Sequence, residues 1–374
     1  MERSKSLLPL RLFFCTREDV FIAELLLAAR DVFTRAREAD REHIQPNICK
    51  ELGYGRGTMR CLFVADLHYS LPQFDWLLQS APRYDLVVLA GDALDVASNV
   101  DFRAQTLVVR KYLHRIASVT QLIVCSGNHD LDSRSEAGEK VARWIGDLAA
   151  LNIASDGDSL VIENILFTIC PWWDGPMVRE QLAAQLEADA QRREGLRWVW
   201  IHHAPPRNSP TSWSGHRSLG DVELEQWIIR YRPDIVFTGH IHQSPFVQNG
   251  SWADRIEATW IFNAGHQFGA PPAHIAFETT SDQAVWISAM GVQAVQLGAP
   301  LQRPIPQIEA LPNWFANKRV LEIVGTYERA SGSSGLARFN SDLDRDRCRA
   351  RLRRCEQHRD GACNHRGAHD LTGK

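Results

Sequence analysis

The sequence predicts an α/β fold, and three features of the chain support that prediction. Short, continuous apolar runs recur along the first half, and each has the length of a strand rather than a helix. Stretches with helical spacing lie between the runs, and Phe102 to Ile116 is the clearest of them. Each run ends at a polar residue, as Asp66 ends the first. Strands that alternate with helices are typical of a parallel sheet with helical crossovers.

The first three apolar runs predict strands that are buried on both faces. They are Cys61 to Ala65, Leu86 to Ala90 and Leu122 to Cys125. Apolar residues do not alternate with polar ones in these runs, so a layer of structure must cover each face of the sheet.

The second half of the chain predicts a further sheet with more antiparallel pairing. Its first two strands flank Glu163-Asn164 and form a hairpin. The later strand candidates are Trp198 to Ile201, Ile235 to Thr238, Thr259 to Asn263, His274 to Thr279 and Ala284 to Ala289. Two mixed β-sheets packed face to face, with helices outside, give a four-layer α/β/β/α sandwich.

Composition divides the chain into three parts. Residues 1–58 form an N-terminal extension that is partly helical, and a glycine-rich segment from Gly53 to Gly57 ends it. Residues 59–316 carry the alternating pattern and form one domain. Residues 317–374 contain a Ser-Gly segment followed by a run dense in Arg and Asp, which predicts a disordered tail.

Charge and cysteine usage restrict the function classes. The 374 residues carry 42 Lys and Arg against 45 Asp and Glu, a net charge of −3. This balance argues against a general nucleic-acid coat protein, although it does not exclude a nuclease. Three of the cysteines, Cys61, Cys125 and Cys170, lie in or beside apolar runs, as reduced core cysteines do.

The N-terminal apolar stretches do not predict a membrane segment. Leu7 to Phe14 is interrupted by Arg11, and Val20 to Ala29 is interrupted by Glu24. Both are too short or too charged for a transmembrane helix, and Arg11 also splits any signal-peptide core. We expect a cytoplasmic protein that does not contact a membrane.

Polar segments follow five of the predicted strands. They are Asp66-Leu67-His68, Gly91-Asp92, Gly127-Asn128-His129-Asp130, His202-His203 and Gly239-His240-Ile241-His242. The carboxyl ends of strands in open α/β sheets form the rim where ligands bind. Together these segments supply enough carboxylate, amide and imidazole ligands for two adjacent metal ions. Paired metal ions are suited to the hydrolysis of phosphate esters.

These segments, in this order, resemble the signature of the calcineurin-like metallophosphoesterases over roughly residues 59–290. The resemblance implies the four-layer sandwich and two metal sites. One site would take Asp66, His68 and His242, and the other would take Asn128, His202 and His240. Asp92 would bridge the two ions.

The chemistry expected of such a site is attack on phosphorus by a hydroxide that bridges the metals. Ligands without thiolate favour Mn²⁺ as the ion, with Fe and Zn²⁺ as alternatives. His129 is not needed as a ligand, so we expect it to act as the general acid, with its ring oriented by Asp130.

Some positions at the rim have roles that the sequence leaves open. We prefer His202 as the ligand because it directly follows its strand, and His203 would then face the other way and contact substrate. Arg217 lies on a loop that could bind phosphate. Asp95 is expected to brace its loop, and Asn263 to orient a ligand or to close a turn.

The sequence therefore predicts a dinuclear metal-dependent phosphohydrolase that cleaves a small-molecule phosphomonoester or phosphodiester. One alternative is a metal-dependent nuclease, which the lack of a basic stripe in residues 59–290 disfavours. The other is a non-catalytic, metal-binding interaction module on the same fold. The substrate and the oligomeric state do not follow from the sequence.

Overall fold

The structure is a computed structural model that describes residues 58–316. The predicted N-terminal extension, apart from Thr58, and the predicted tail lie outside the described residues.

The described part of the chain contains fourteen strands and five α-helices. The strands are β1 (Arg60–Val64), β2 (Leu86–Ala90), β3 (Gln121–Cys125), β4 (Ser133–Arg134), β5 (Lys140–Val141), β6 (Ser159–Ile162), β7 (Ile165–Ile169), β8 (Arg197–Ile201), β9 (Ile235–Thr238), β10 (Ala253–Ile256), β11 (Thr259–Asn263), β12 (His274–Glu278), β13 (Gln283–Ser288) and β14 (Gly291–Gln296). The α-helices are α1 (Leu71–Ser80), α2 (Phe102–Ala117), α3 (Arg143–Gly146), α4 (Pro176–Arg192) and α5 (Val222–Tyr231). Short 3₁₀ helices cover Ala81–Arg83, Asp147–Leu151, Pro210–Ser212, Ser244–Phe246 and Asn313–Ala316. None of the helices described here has the length and apolar character needed to cross a membrane.

Two six-stranded sheets carry the fold. The first sheet has the order β14-β13-β12-β1-β2-β3, and the second has the order β10-β11-β9-β8-β7-β6. Strands β1, β2 and β3 pair in parallel, as the apolar runs predicted. Strands β7, β8, β9 and β11 are also parallel, and β6 and β10 are antiparallel edges of their sheet.

The antiparallel strands expected in the second half do not all belong to the second sheet. Strands β12, β13 and β14 return to the first sheet, where β12 pairs antiparallel with β1. The centre of the second sheet is parallel. Both sheets are therefore mixed, as predicted, but the division of strands between them differs from the simple order along the chain.

Side chains on each central strand alternate between its two faces. Three hydrophobic cores therefore form between the four layers of helices and sheets. Cys61 and Phe63 of β1 face the second sheet, and the Phe63 ring stacks on Phe237 of β9. Leu62 and Val64 face the opposite way, into a core shared with α1 and α2. On the far side of the second sheet, its outer residues pack with apolar residues of α4 and α5. The predicted four-layer α/β/β/α sandwich is thus confirmed.

The carboxyl group of Asp156, a half-buried residue, supports the chain where it leaves β3 toward the rim. The Asp156 Oδ1 accepts a hydrogen bond from the Ser126 backbone N–H at 2.8 Å. Burial raises the pKa of Asp156 to about 6, although its hydrogen bonds with Ser126 act in the opposite direction. The folded protein therefore binds this proton more tightly than the unfolded chain does.

Asp156→Asn should change how stability depends on pH. A raised carboxyl pKa favours folding below about pH 4, and that contribution is lost as the pH rises to about 6. Relative to the wild type, we expect the variant to gain about 2 kcal/mol in unfolding free energy between pH 4 and pH 7. Urea unfolding of both proteins across this range measures the gain. Asp147→Asn, which removes an exposed carboxylate, is the control, and a constant difference between Asp156→Asn and wild type would contradict the prediction.

Candidate metal centre

Five strands from the two sheets deliver polar side chains to one rim. Asp66 and His68 follow β1, Asp92 follows β2, and Asn128 follows β3 of the first sheet. The second sheet contributes the His202-His203 pair after β8, and His240 and His242 after β9. All five are parallel strands within their sheets, so their carboxyl ends open on the same crevice.

The first group of candidate ligands consists of Asp66, His68, Asp92 and His242. Each can offer one atom such that all four atoms lie within 4.8 Å of one another. The Nε2 atoms of His68 and His242 are 2.9 Å apart, and the His242 Nε2 is 3.2 Å from Asp66 Oδ1. Imidazole nitrogens that face each other beside carboxylates are the donor set of a divalent cation site.

The second group consists of Asp92, His203 and His240, again within 4.8 Å. The His203 Nε2 is 3.1 Å from Asp92 Oδ2. Asp92 belongs to both groups, as expected of a bridging carboxylate.

Asn128 lies on a turn that is pressed against Asp92. A Cβ atom at Gly127 would come within 2.1 Å of Asp92 Oδ1, and the His129 backbone N–H donates to that same oxygen at 2.8 Å. Asn128 is the residue between Gly127 and His129 in the chain, and its Oδ1 is buried without a hydrogen-bond partner within the protein. An unpaired buried amide oxygen on this turn fits the role of a metal ligand.

Electrostatics at the centre favour a cation. Burial raises the pKa of Asp92, but the neighbouring His203 outweighs burial and lowers it well below its ordinary value. Burial conversely lowers the pKa of His203, yet the charges of Asp92 and Asp66 raise it to about 9. A positive charge is therefore stabilised between the two carboxylates, and the residues present fit a divalent metal ion.

The two consecutive histidines have different surroundings in the structure. His202 does not join either ligand group of the described residues; its ring stacks on Trp173, with centroids 4.7 Å apart and planes 6° apart. Both ring nitrogens of His202 are buried without a partner, and burial lowers its pKa to about 3. His203, which we expected to contact substrate, is the histidine beside Asp92. Strand alternation explains this exchange, because consecutive residues face opposite sides of the sheet.

Asp130, the carboxylate expected to orient His129, has hydrogen bonds to backbone groups. Asp130 is fully buried and accepts hydrogen bonds from the backbone N–H groups of Gly127 at 2.8 Å and Leu94 at 3.0 Å. It therefore braces the two turns rather than the imidazole. Asp95 is the carboxylate close to the imidazole, since its Oδ1 lies 3.6 Å from the His129 Nδ1.

His129 does not belong to the first ligand group, but it forms a third candidate group with His68 and Asp95. Its ring packs edge-on against that of His68, with centroids 4.6 Å apart. Burial lowers the pKa of His129, but the neighbouring carboxylates of Asp95 and Asp92 outweigh it and raise the pKa above its ordinary value. A ring whose protonated form is favoured in this way can serve as an acid.

Other side chains surround the cluster. The Trp172 ring lies 5.1 Å from that of His240 and 5.7 Å from that of His203. Arg217 is exposed, and its loop approaches the rim where the Gln243 amide donates to the Ser214 carbonyl. The structure records no contact between the Arg217 side chain and the cluster residues, so its predicted phosphate contact stays a prediction.

Two residues at and just after the end of β11, Asn263 and His266, contact the rim. The Asn263 amide donates to the carbonyls of Thr211 and Ile241 and to Ser244 Oγ. These contacts connect the loops around it, which matches the expectation that Asn263 closes a turn. His266 was missed by the sequence analysis, although it directly follows Asn263-Ala264-Gly265 at the same rim. Its ring centroid lies 5.0 Å from that of His242 and 5.4 Å from that of His68.

The chain is similar to a known protein family. The profile of the calcineurin-like phosphoesterases matches residues 59–244. No curated protein sequence matches the chain.

Solved structures similar to the chain include three with a TM-score of 0.42. The protein TT1561 of Thermus thermophilus is 11% identical, over 64% of this chain and 99% of that one. The purple acid phosphatase PPD1 from yellow lupin (Lupinus luteus) seeds is 13% identical, over 65% of this chain and 52% of that one. A dimetal phosphatase from Danio rerio is 11% identical, over 61% of this chain and 95% of that one.

Exchanging each consecutive histidine for phenylalanine should separate their roles. We expect His203→Phe to bind one divalent ion fewer per chain, because it removes a nitrogen from the second ligand group. His202→Phe should bind metal as the wild type does and change the unfolding free energy by less than about 1 kcal/mol, since only unpartnered nitrogens are replaced. Equilibrium dialysis with elemental analysis measures the stoichiometry. If only His202→Phe lost an ion, the result would support His202 as the ligand, as the sequence predicted.

Proposed function

Because residues 59–244 belong to the calcineurin-like phosphoesterase family, we propose that the chain is a two-metal phosphohydrolase that cleaves a phosphomonoester or a phosphodiester. One observation supports this most directly: two groups of candidate ligand residues share the carboxylate of Asp92. Adjacent sites with a common carboxylate suit a phosphate group whose oxygens need two cations.

In this proposal, Asp66, His68 and His242 hold one ion, Asn128, His203 and His240 hold the other, and Asp92 bridges them. When bound, the two ions would supply positive charge to the phosphate oxygens and would acidify a water molecule. The nitrogen and oxygen donors favour Mn²⁺ as the first ion to test, with Fe and Zn²⁺ as alternatives.

His129 would provide the proton for the departing alcohol. The Val96 backbone N–H donates to its Nδ1 at 3.3 Å, which leaves Nε2 as the atom that carries and transfers a proton. Asp95 would hold the ring and favour its protonated form, and the oxygen of the cleaved ester bond would take the proton as it leaves.

The substrate in this proposal is a small-molecule phosphate ester. The chain's charge balance of −3 supports a small substrate over a nucleic acid. We propose the cytoplasm as its location, supported by three buried free cysteines, Cys61, Cys125 and Cys170, which are typical of a reducing compartment.

Removal of metal ions should abolish phosphate-ester hydrolysis, and adding them back should restore it. We expect metal-stripped protein to be inactive on p-nitrophenyl phosphate and bis-p-nitrophenyl phosphate, and Mn²⁺, Fe²⁺ or Zn²⁺ to restore hydrolysis of at least one ester. Asp92→Asn should lose at least about 100-fold in kcat/KM, because it removes the shared negative charge between the ions. The measurement is release of p-nitrophenolate with each ion.

Each failure of that assay has a defined meaning. If no ion restores hydrolysis of either ester although two ions bind, the chain is a metal-binding interaction module instead of an enzyme. If Asp92→Asn stays fully active, the shared carboxylate is not part of the chemistry. If only single-stranded or duplex DNA or RNA oligonucleotides are cleaved, the nuclease alternative replaces the small-molecule proposal.

His129→Ala should matter most for esters with a poor leaving group. A general acid contributes about 10²–10⁴-fold when the departing oxygen needs a proton, whereas p-nitrophenolate leaves without one. We therefore expect a loss of at least about 100-fold on an alkyl phosphate and less than about 10-fold on the p-nitrophenyl ester. Steady-state kinetics on both esters test this, and equal losses on the two would argue for a role other than proton donation.

A further inference from the structure

His266 connects two loops that carry ligands of the first metal site. Its side-chain Nδ1 lies 2.6 Å from the backbone carbonyl oxygen of Asp66, which follows β1 of the first sheet. Its backbone N–H donates to the carbonyl of His242, which follows β9 of the second sheet, at 3.0 Å. One residue thus holds the backbone of one ligand from each sheet.

The atoms in these contacts fix the chemical state of the ring. A carbonyl oxygen can only accept, so the Nδ1 of His266 must carry the hydrogen and donate it. The ring is partly buried and contacts the rings of His68, His242 and Phe268. These neighbouring rings limit rotation of the His266 side chain and so help to keep its Nδ1 directed at the Asp66 carbonyl oxygen.

We propose that His266 is a positioning residue for the first metal site, which sets the separation of Asp66 and His242 and thereby the affinity of that site. The inference rests on the proposed two-metal function. Residues that hold metal ligands in place typically account for about 10–100-fold in metal affinity.

The position of His266 distinguishes this role from that of a ligand. Among the described residues, the first ligand group contains Asp66, His68, Asp92 and His242, and His266 is not part of it. Its two hydrogen bonds go to backbone carbonyls of ligand residues, not to their ligating atoms. The Asp66 backbone that it holds adopts a φ of +56°, a conformation that needs support from outside.

Three substitutions at this position test the proposal. Asn places an amide N–H close to the position of Nδ1, whereas Gln places it further out, near Nε2. Relative to the wild type, we expect His266→Ala and His266→Gln to weaken one of two Mn²⁺ binding steps by at least about 10-fold. His266→Asn should remain within about 3-fold of the wild type. Isothermal titration of metal-stripped protein with Mn²⁺ measures both steps.

Two reference variants identify which step belongs to which site. His242→Ala should weaken the step of the first site, and His240→Ala should weaken the other. The step lost in His266→Ala must be the one lost in His242→Ala. His114→Ala, which removes an exposed histidine on α2, controls for the loss of a histidine elsewhere.

Specific results would overturn the proposal. Unchanged Mn²⁺ binding in His266→Ala and His266→Gln would do so. Equal weakening of both steps, together with a lower melting temperature of the metal-free protein and no recovery in His266→Asn, would show a merely structural role. If His266→Ala does not fold, the Asn and Gln variants decide. A wild type that binds fewer than two ions would refute the two-metal function itself.

Discussion

Two carboxylates, Asp66 and Asp92, must lie side by side in the protein interior, and the rest of the structure depends on meeting that requirement. Both are almost completely buried, so their like charges repel strongly unless positive charge lies close by. The first sheet supplies both carboxylates, and the second sheet supplies His203 and His242 opposite them. The core between the sheets, in which Phe63 stacks on Phe237, therefore keeps the two carboxylates close to these histidines in addition to holding the sheets together.

The same requirement explains the strained backbone at the rim. Asp66, His68, Asp92 and His240 all adopt positive φ between +44° and +67°, which costs about 1 kcal/mol or more for residues other than glycine. Hydrogen bonds hold the conformation: the Asp66 N–H donates to the Gly91 carbonyl, and the His240 N–H donates to both oxygens of Asp66 at 3.0 Å. The backbones of Asp66 and His240 are thus each held by a contact with a loop that carries another ligand. The loops of the two sheets therefore stabilise one another.

The sequence predicted the sandwich and the rim because strands buried on both faces have a continuous apolar pattern and end in polar residues. The same pattern does not show on which face of the sheet each residue lies. Val199 and Ile201 of β8 pack between the sheets, whereas Trp198 and Trp200 pack toward the outer helices. Extending the alternation places His203 on the inner face with the carboxylates and His202 on the outer face with Trp173. Both faces of β8 are apolar, so the sequence offered no polar residue by which to tell them apart.

Residues whose role depends on a facing loop were the hardest to predict. Asp130 adjoins His129 in the chain, but the turn at Gly127 must satisfy its own backbone N–H groups, and the nearest carboxylate does so. The carboxylate that holds the imidazole must then come from a different loop, and Asp95 does. The same reasoning applies to His266, whose partners Asp66 and His242 are distant in sequence. A ligand directed by its own strand can be found from a local pattern, but the residue that holds the ligand in place requires the packing of the two sheets.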